Sequence, residues 1–535
     1  MTIGSYTPEE PISSIATALA PAALGIVRLS GKNCIELVSK AFSRPKALLS
    51  TPGNTLVYGW IVDNKGGESL PLPKIEEALR PKVRCDCRLA SSKERFDKLC
   101  LSRDATPSAG TPRNAPARLD QVMLAVYRAP KSFTGEDMVE IFCHGGPAVV
   151  TAIQNLMLKN GFRQALRGEY TFRAFINGKT DLTQAEAVKE IIDSRTDASR
   201  SHAVGRLSGS LFEEIDSIKK LIIDTLASIE VEIEYPEDEE TIADTFDRVD
   251  IEKARDRLQG LVDSWKGEKL YQDGARVVLA GRTNAGKSSL FNAILKEERA
   301  IVSDIEGTTR DWLESWASIN GIPVRLFDTA GLRETEDVIE AQGVQLSRNL
   351  ASDADVVLYL IDSTTAPTAE DEDFIKNCKE PLIVVWTKSD KMGNGVLGVE
   401  PLGERVAEDA VVEPVETTVA GARERLLPPS ALYVQISSKT GTGMPLLFAQ
   451  ITKILTAGLS TDREQAGLGS ARQRDSVAEA LENVKHALIS ADDNYTLDAV
   501  VQDLEEALDC LSEVTGEITP DDVLGSIFAN FCVGK

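Results

Sequence analysis

Arg276-Val-Val-Leu-Ala280 leads into Gly281-Arg-Thr-Asn-Ala-Gly-Lys-Ser288, and Ser289-Leu-Phe-Asn-Ala-Ile-Leu295 follows with helical spacing. The first segment has the apolar run of a buried strand. The three together read as a strand, a phosphate-binding loop and a helix. Gly281 and Gly286 let the backbone turn tightly enough for its N–H groups to face phosphate oxygens, and the helix N-terminus adds partial positive charge. On this reading Lys287 reaches the β- and γ-phosphates and Ser288 ligates Mg²⁺, with Asn284, Ala285, Gly286 and Ser289 lining the loop. An ordinary glycine turn is the bland alternative, and the flanking strand and helix weigh against it.

Four further segments follow in order. They are Gly307-Thr-Thr-Arg-Asp311, Asp328-Thr-Ala-Gly331 after the strand Val324–Phe327, Thr387-Lys-Ser-Asp390 after Leu382–Trp386, and Ser437-Ser-Lys439 after Tyr433–Ile436. The last three sit at the carboxyl end of an apolar strand, where open α/β sheets bind ligands. The carboxylate of Asp390 can accept the two N–H donors of a guanine edge, which adenine lacks, so GTP is the expected nucleotide. The residues expected around it are Asp328, Thr329, Ala330 and Gly331, then Thr387, Lys388 and Asp390, then Ser437, Ser438 and Lys439. Thr387 stands where such tetrads usually begin with Asn, which puts one base contact in doubt.

The chain has 535 residues, enough for about three domains. A formal charge of −24 argues against coating nucleic acid by counterion release, so any RNA contact needs a local patch or a partner. The eight cysteines include no C-x-x-C pair, so neither a disulfide frame nor a zinc site is expected. The start of the chain lacks a basic apolar leader and no stretch is long and apolar enough to span a bilayer, so a cytoplasmic protein with no membrane partner is expected.

Before the nucleotide motifs, residues 12 to 29 read as two short strands around a loop, with Arg28 the one charge inside an apolar strand. Taken alone, Arg28 is as well explained by an exposed edge strand. Residues 63–119 mix Pro, Ser, Arg and Lys with little periodicity and are expected to form a disordered insertion. Glu140 lies among apolar residues on an expected strand, and His144-Gly-Gly146 opens a helix at Pro147. A lone His without a metal-spaced partner is expected to be structural. Leu211, Ile215, Ile218, Ile222, Leu226, Ile229 and Ile233 form one apolar helical stripe, and Val477 to Leu488 and Leu504 to Leu511 give two more bundle helices. Residues 392–429 read as a second insertion, and the ending Phe531-Cys-Val-Gly-Lys535 as a tail.

With Ser132-Phe-Thr-Gly-Glu-Asp137, Arg173-Ala-Phe175, Asn177-Gly-Lys179, Asp181-Leu-Thr-Gln-Ala-Glu-Ala187, Asp328-Thr-Ala-Gly-Leu-Arg333 and the terminal Cys-x-Gly-Lys, nearly the whole chain resembles the TrmE family of tRNA-modification GTPases, also called MnmE. The resemblance implies a multidomain α/β and α fold: an N-terminal α+β folate-binding domain, a discontinuous helical bundle and an inserted Ras-like P-loop GTPase domain. The expected boundaries are 1–130 for the folate-binding and dimerisation domain, 131–270 for a mainly helical region, 271–459 for the GTPase domain and 460–535 for the second helical part. It also implies a homodimer and an FAD-dependent partner, MnmG, in a heterotetramer. The product that the resemblance implies is a carboxymethylaminomethyl-type group on C5 of the wobble uridine of certain tRNAs.

The same resemblance assigns Arg28, Glu140, Lys179 and Lys535 to a tetrahydrofolate derivative, 5-formyl or 5,10-methylene. Basic groups would meet its carboxylates and carbonyls, and Glu140 the N–H donors of the pterin. Cys532 is the candidate nucleophile, although Phe531 and Val533 beside it would not lower its pKa. Leu332 stands where Ras-like enzymes carry a water-orienting Gln, and the family pattern gives that role to Glu340. Asn284, Ser303, Ile305 and Thr308 are the expected K⁺ ligands, Thr309 the second Mg²⁺ residue and Arg310 a switch residue. The rival from another class is a ribosome-assembly or RNA-binding GTPase switch without modification chemistry. Folate binding discriminates the two.

Overall fold

The structure is a computed structural model that describes residues 10–63, 117–234, 248–297, 313–328, 353–391, 432–457, 467–492 and 497–534. The chain divides into two compact units, residues 1–180 with 520–535, and residues 181–519.

The first unit is built on a six-stranded sheet of β1 (Ile12–Ile15), β2 (Leu24–Ser30), β3 (Thr55–Asp63), β4 (Ala117–Tyr127), β5 (Met138–His144) and β6 (Arg163–Gln164), in the order β3-β4-β5-β2-β1-β6. Every pair is antiparallel except β1 with β6. In β4 the alternation is plain: Asp120, Val122 and Leu124 are buried while Gln121 and Met123 are exposed, the period of two of a sheet with one covered face. Against that face pack α1 (Cys34–Ser39), α2 (Pro45–Ser50) and α3 (Pro147–Lys159), whose Ile35, Leu48, Ile153 and Met157 share a core with Val27, Leu124 and Ile141. Pro147 opens α3, where a missing N–H costs no hydrogen bond. The unit is completed by α4 (Glu169–Ile176) and by α14 (Asp521–Ala529), whose Phe528 stands edge-on to Phe172 at 5.3 Å.

These contacts differ from the expected boundaries at two points. Residues 131–180 pack with the first unit, because β5 fills the sheet between β4 and β2. Residues 520–535 join it as well, because Phe528 packs on Phe172 and Phe175, Val533 bridges to Arg167 and the Gly534 carbonyl meets Arg28. The expected insertions at 63–119 and 392–429 lie almost wholly outside the described residues.

The second unit begins with α5 (Leu182–Asp193), capped by reciprocal bonds between Asp181 and Gln184, and α6 (Asp197–Leu207), capped the same way by Thr196 and Ser199. Then come α7 (Ser210–Glu234) and α8 (Arg248–Asp273), and later α12 (Ala471–Asp492) and α13 (Leu497–Thr515). Ile215, Ile218 and Ile222 of α7 are fully buried against Leu258, Val484 and Leu504, so helices from before and after the nucleotide motifs share one core. Between them lies a second sheet of β7 (Ala275–Gly281), β8 (Leu313–Ile319), β9 (Ile322–Asp328), β10 (Val356–Asp362), β11 (Leu382–Thr387) and β12 (Leu432–Gln435). Its order is β12-β11-β10-β7-β9-β8, parallel except for β8 with β9. The helices α9 (Lys287–Glu297), α10 (Ala369–Asn377) and α11 (Met444–Leu455) belong to it. Its strands are continuous apolar runs because both faces are covered: Val277, Leu279 and Leu358 face one core, Val278, Val357 and Trp386 the other. The chain leaves β7 in both directions across the sheet, which makes the carboxyl end of β7 the switch point where such sheets bind ligands.

Candidate functional site

The loop after β7 turns on two glycines. Gly281 has φ +135 and a Cβ there would lie 2.4 Å from the Leu360 carbonyl oxygen, so no larger residue fits. Lys287, at the start of α9, donates to the carbonyls of Gly281 (2.6 Å) and Arg282 (2.9 Å), which holds its ammonium over the loop. Ser288 Oγ donates to Asp328 Oδ2 at 3.0 Å. A hydroxyl and a buried carboxylate thus converge from α9 and β9, a hard-oxygen pair suited to Mg²⁺, which keeps several waters and takes few protein ligands.

The Thr387-Lys-Ser-Asp390 segment braces this loop from the side. Thr387 is buried and its Oγ1 donates to the Ala285 carbonyl at 2.6 Å. The hydroxyl that replaces the usual Asn amide therefore still ties the segment to the phosphate loop. Lys388 Nζ donates to the Asn284 carbonyl at 2.7 Å and pairs with Asp362 Oδ2 at 2.6 Å. Burial raises the Asp362 carboxyl, but the hydrogen bonds from Lys388 and Thr364 outweigh it and leave the group below the usual carboxylate range. Asp390 is exposed and accepts from Ser437 Oγ at 2.8 Å, a bond that lowers its pKa and keeps it ionised to receive N–H donors. Lys439 lies exposed and adds a smaller favourable field, and Ser438 is half-buried beside it.

A volume-preserving test isolates the brace. Thr387→Val is expected to weaken GDP binding by about fivefold to twentyfold while leaving the fold intact, because one buried hydrogen bond to a loop carbonyl is lost. Titration with a fluorescent GDP analogue reads it, and an unchanged affinity would mean that the loop holds its shape unaided.

In the first unit a second constellation forms around Arg28. This residue lies in β2, an interior strand, directly across from Glu140 on β5, so the exposed-edge reading of Arg28 does not hold. Arg28 Nε pairs with Glu140 Oε1 at 2.8 Å and a terminal guanidinium nitrogen donates to the Gly534 carbonyl at 2.7 Å. Tyr170 donates its hydroxyl to the Arg28 carbonyl at 2.7 Å, and its burial pushes the phenol pKa up, so it stays a donor. The tail is seated by a bridge between Arg167 and Val533. Cys532 is exposed there. Lys179 donates to the Pro130 carbonyl at 3.1 Å and packs on the Ser132–Asp137 segment, which Arg173 holds through Glu136 at 3.0 Å. A carboxylate acceptor and a guanidinium donor side by side suit a heterocycle edge with matched N–H and carbonyl groups. His144 bonds to Asp120, a structural role.

Arg310, Glu340, Ser303, Ile305, Thr308, Thr309, Thr329, Ala330, Gly331 and Lys535 lie outside the described residues. Sequence reasoning passed over Asp362, Tyr170 and the Gly534 carbonyl. Asp362 ends the apolar run of β10, as Asp328 ends β9, and that position was the signal. Among the described residues no three His, Cys, Asp or Glu side chains gather to hold a metal, and no helix is long and apolar enough to cross a membrane.

The chain matches the family description "MnmE helical domain" over residues 182–532 and "GTP-binding protein TrmE N-terminus" over residues 87–179. It is 45% identical to a tRNA modification GTPase MnmE of Treponema denticola, covering 100% of both chains. It is 40% identical to that of Treponema pallidum over 99% of both, and 37% identical to that of Borrelia turicatae over 98% of both. A solved structure of Aquifex aeolicus Era is 24% identical over 39% of this chain and 66% of its own, with a TM-score of 0.25. With its full length aligned to these relatives, the chain belongs to the MnmE family of tRNA modification GTPases.

Proposed function

We propose that the chain is a cytoplasmic, K⁺-dependent GTP-hydrolysing enzyme of tRNA modification. As a homodimer joined to the FAD-dependent MnmG, it adds a carboxymethylaminomethyl-type group to C5 of the wobble uridine. In this reading an N-terminal folate domain and a GTPase domain inserted in a split helical bundle do separate work. The observation that carries the two-site reading is the bond from Arg28 to the Gly534 carbonyl, with Glu140 beside it. It supports a pocket assembled from both ends of the chain, which a simple GTP-timed switch does not need.

The residues divide the work as follows. Asp390 orients guanine and Lys287 neutralises the phosphates, while Ser288, Asp328 and Thr309 hold Mg²⁺. Asn284, Ser303, Ile305 and Thr308 hold K⁺, Arg310 belongs to the switch, and Glu340 orients the attacking water in place of the missing Gln. Held by those residues, K⁺ would supply the positive charge that an arginine finger gives elsewhere. In the other pocket Arg28, Glu140, Lys179 and Lys535 orient the tetrahydrofolate, whose chemistry is to donate a one-carbon unit. Cys532, as an exposed thiol, is the candidate nucleophile.

GTP hydrolysis is expected to run several-fold faster in K⁺ than in Na⁺, and Asn284→Ala is expected to erase the difference; equal wild-type rates in both salts reject the K⁺ assignment. The function as a whole is tested by nucleoside analysis of wobble uridine in cells lacking the protein. An unmodified uridine supports the reading, and an unchanged one, with no binding of 5-formyltetrahydrofolate, leaves only the switch.

A further inference from the structure

Trp316 occupies an unusual junction. It lies on β8, which is the edge strand of the nucleotide sheet and has β9 as its only strand neighbour among the described residues. Its register partner on β9 is Arg325, whose guanidinium carbon lies 5.4 Å from the indole centroid. Among the described residues the buried Nε of Arg325 has no hydrogen-bond partner, and its guanidinium lies between the indole and Glu314, 3.7 Å away. The indole edge fills the space beside Gly274, where a Cβ would lie 2.5 Å from it. Onto this tryptophan the helical region places Arg195, its guanidinium carbon 4.1 Å from the ring centroid. Arg195 is itself anchored, because the next residue, Thr196, is the buried cap of α6 and exchanges bonds of 3.1 Å with Ser199.

Gly274 is the entry to β7, whose far end carries the phosphate loop, and Arg325 is on β9, whose far end carries Asp328. Trp316 therefore touches the residue that enters β7 and the side chain at the midpoint of β9, the two strands that lead to Ser288 and Asp328. We propose that Arg195, outside the nucleotide sheet, is a positioning residue for GTP hydrolysis that acts through Trp316. By pressing the indole onto β9 and Gly274 it sets the relative height of β7 and β9, and so the approach of Ser288 Oγ to Asp328. Among aromatic faces indole attracts a cation most strongly, and among the described residues β8 is held by a strand on one side only. The inference rests on the GTPase reading above.

The test uses the full chain, with GTP turnover and, separately, retention of a fluorescent GDP analogue each measured across a Mg²⁺ titration. Arg195→Ala is expected to lower kcat about fivefold and to raise the Mg²⁺ concentration for half-maximal rate about threefold, while KM for GTP at saturating Mg²⁺ stays put. Arg195→Lys is expected to recover part of the loss, since an ammonium keeps the attraction but not the flat stacking. Trp316→Leu should reproduce the defect, and the double variant should be no worse than the weaker single. A merely structural role would lower the active fraction without moving the Mg²⁺ midpoint. Should Trp316→Leu fail to fold, Trp316→Phe keeps an aromatic face and is expected to show a partial shift. Wild-type kinetics in Arg195→Ala, or additive losses in the double variant, overturn the proposal. A wild-type chain that does not hydrolyse GTP overturns the GTPase reading itself.

Discussion

Asp390→Asn is expected to lower the affinity for GTP by about a thousandfold and to raise that for xanthosine triphosphate, reversing the preference. The carboxylate is exposed and kept ionised by Ser437 Oγ at 2.8 Å, so both of its oxygens are acceptors in a pocket where a guanine edge offers two N–H donors. An amide turns one acceptor into a donor. One charge-assisted bond is lost and a donor is set against a donor, and the two losses act in the same direction. Xanthine presents a carbonyl at the position of the guanine amino group, so the same amide suits it. Competition of both triphosphates against a fluorescent GDP analogue reads the result. GTP affinity within threefold of wild type would mean that Asp390 does not read the base.

Why Asp390 was legible in the sequence and other groups were not follows from where the information sits. Residues 276–295 and the three strand-end motifs are local: each is a short run whose chemistry is complete within about eight residues. The strands then appear where their apolar runs stand: β7 and β11 lead into their motif residues, and β9 ends on Asp328. The stripe on α7 is equally local, and Ile215, Ile218 and Ile222 are buried as its spacing requires.

Tertiary pairings carried no such mark. Nothing in Phe528 or Phe531 announces that the tail leaves the bundle for the first unit, since an apolar helix face does not name its partner. The bond between Arg28 and Gly534 joins positions 506 apart, and only the family resemblance tied those regions together. Asp362 was missed because the acid that ends β10 belongs to no motif. Its strand-end position marks it as a candidate, and its partner appears when Lys388, just past β11, reaches across.

In the first unit a large effect is expected from the Arg28 pocket and the tail that reaches it. Deleting residues 533–535 should lower affinity for 5-formyltetrahydrofolate by more than about tenfold and leave GTP hydrolysis within twofold. The deletion removes the Gly534 carbonyl from Arg28 without touching the nucleotide sheet, and removes Val533, the bridge to Arg167. Arg28 then keeps Glu140 and the Tyr170 ring, and its freed N–H groups are expected to turn onto that carboxylate and take up the acceptor a pterin would use. Arg28→Ala goes further: it leaves Glu140, whose side chain is only 14% exposed, without its cation, a loss on the order of 3 kcal/mol or more. That variant is expected to bind folate at least a hundredfold more weakly and to melt earlier, so Arg28→Lys separates the two effects. The ammonium still balances Glu140 and should restore the melting temperature. It cannot hold Glu140 and the tail carbonyl at once with a planar fork, so folate binding should stay impaired. Calorimetric titration of the folate against all three variants decides the matter. Wild-type affinity in the 533–535 deletion would separate the tail from the pocket and leave the chain's two ends without a common ligand.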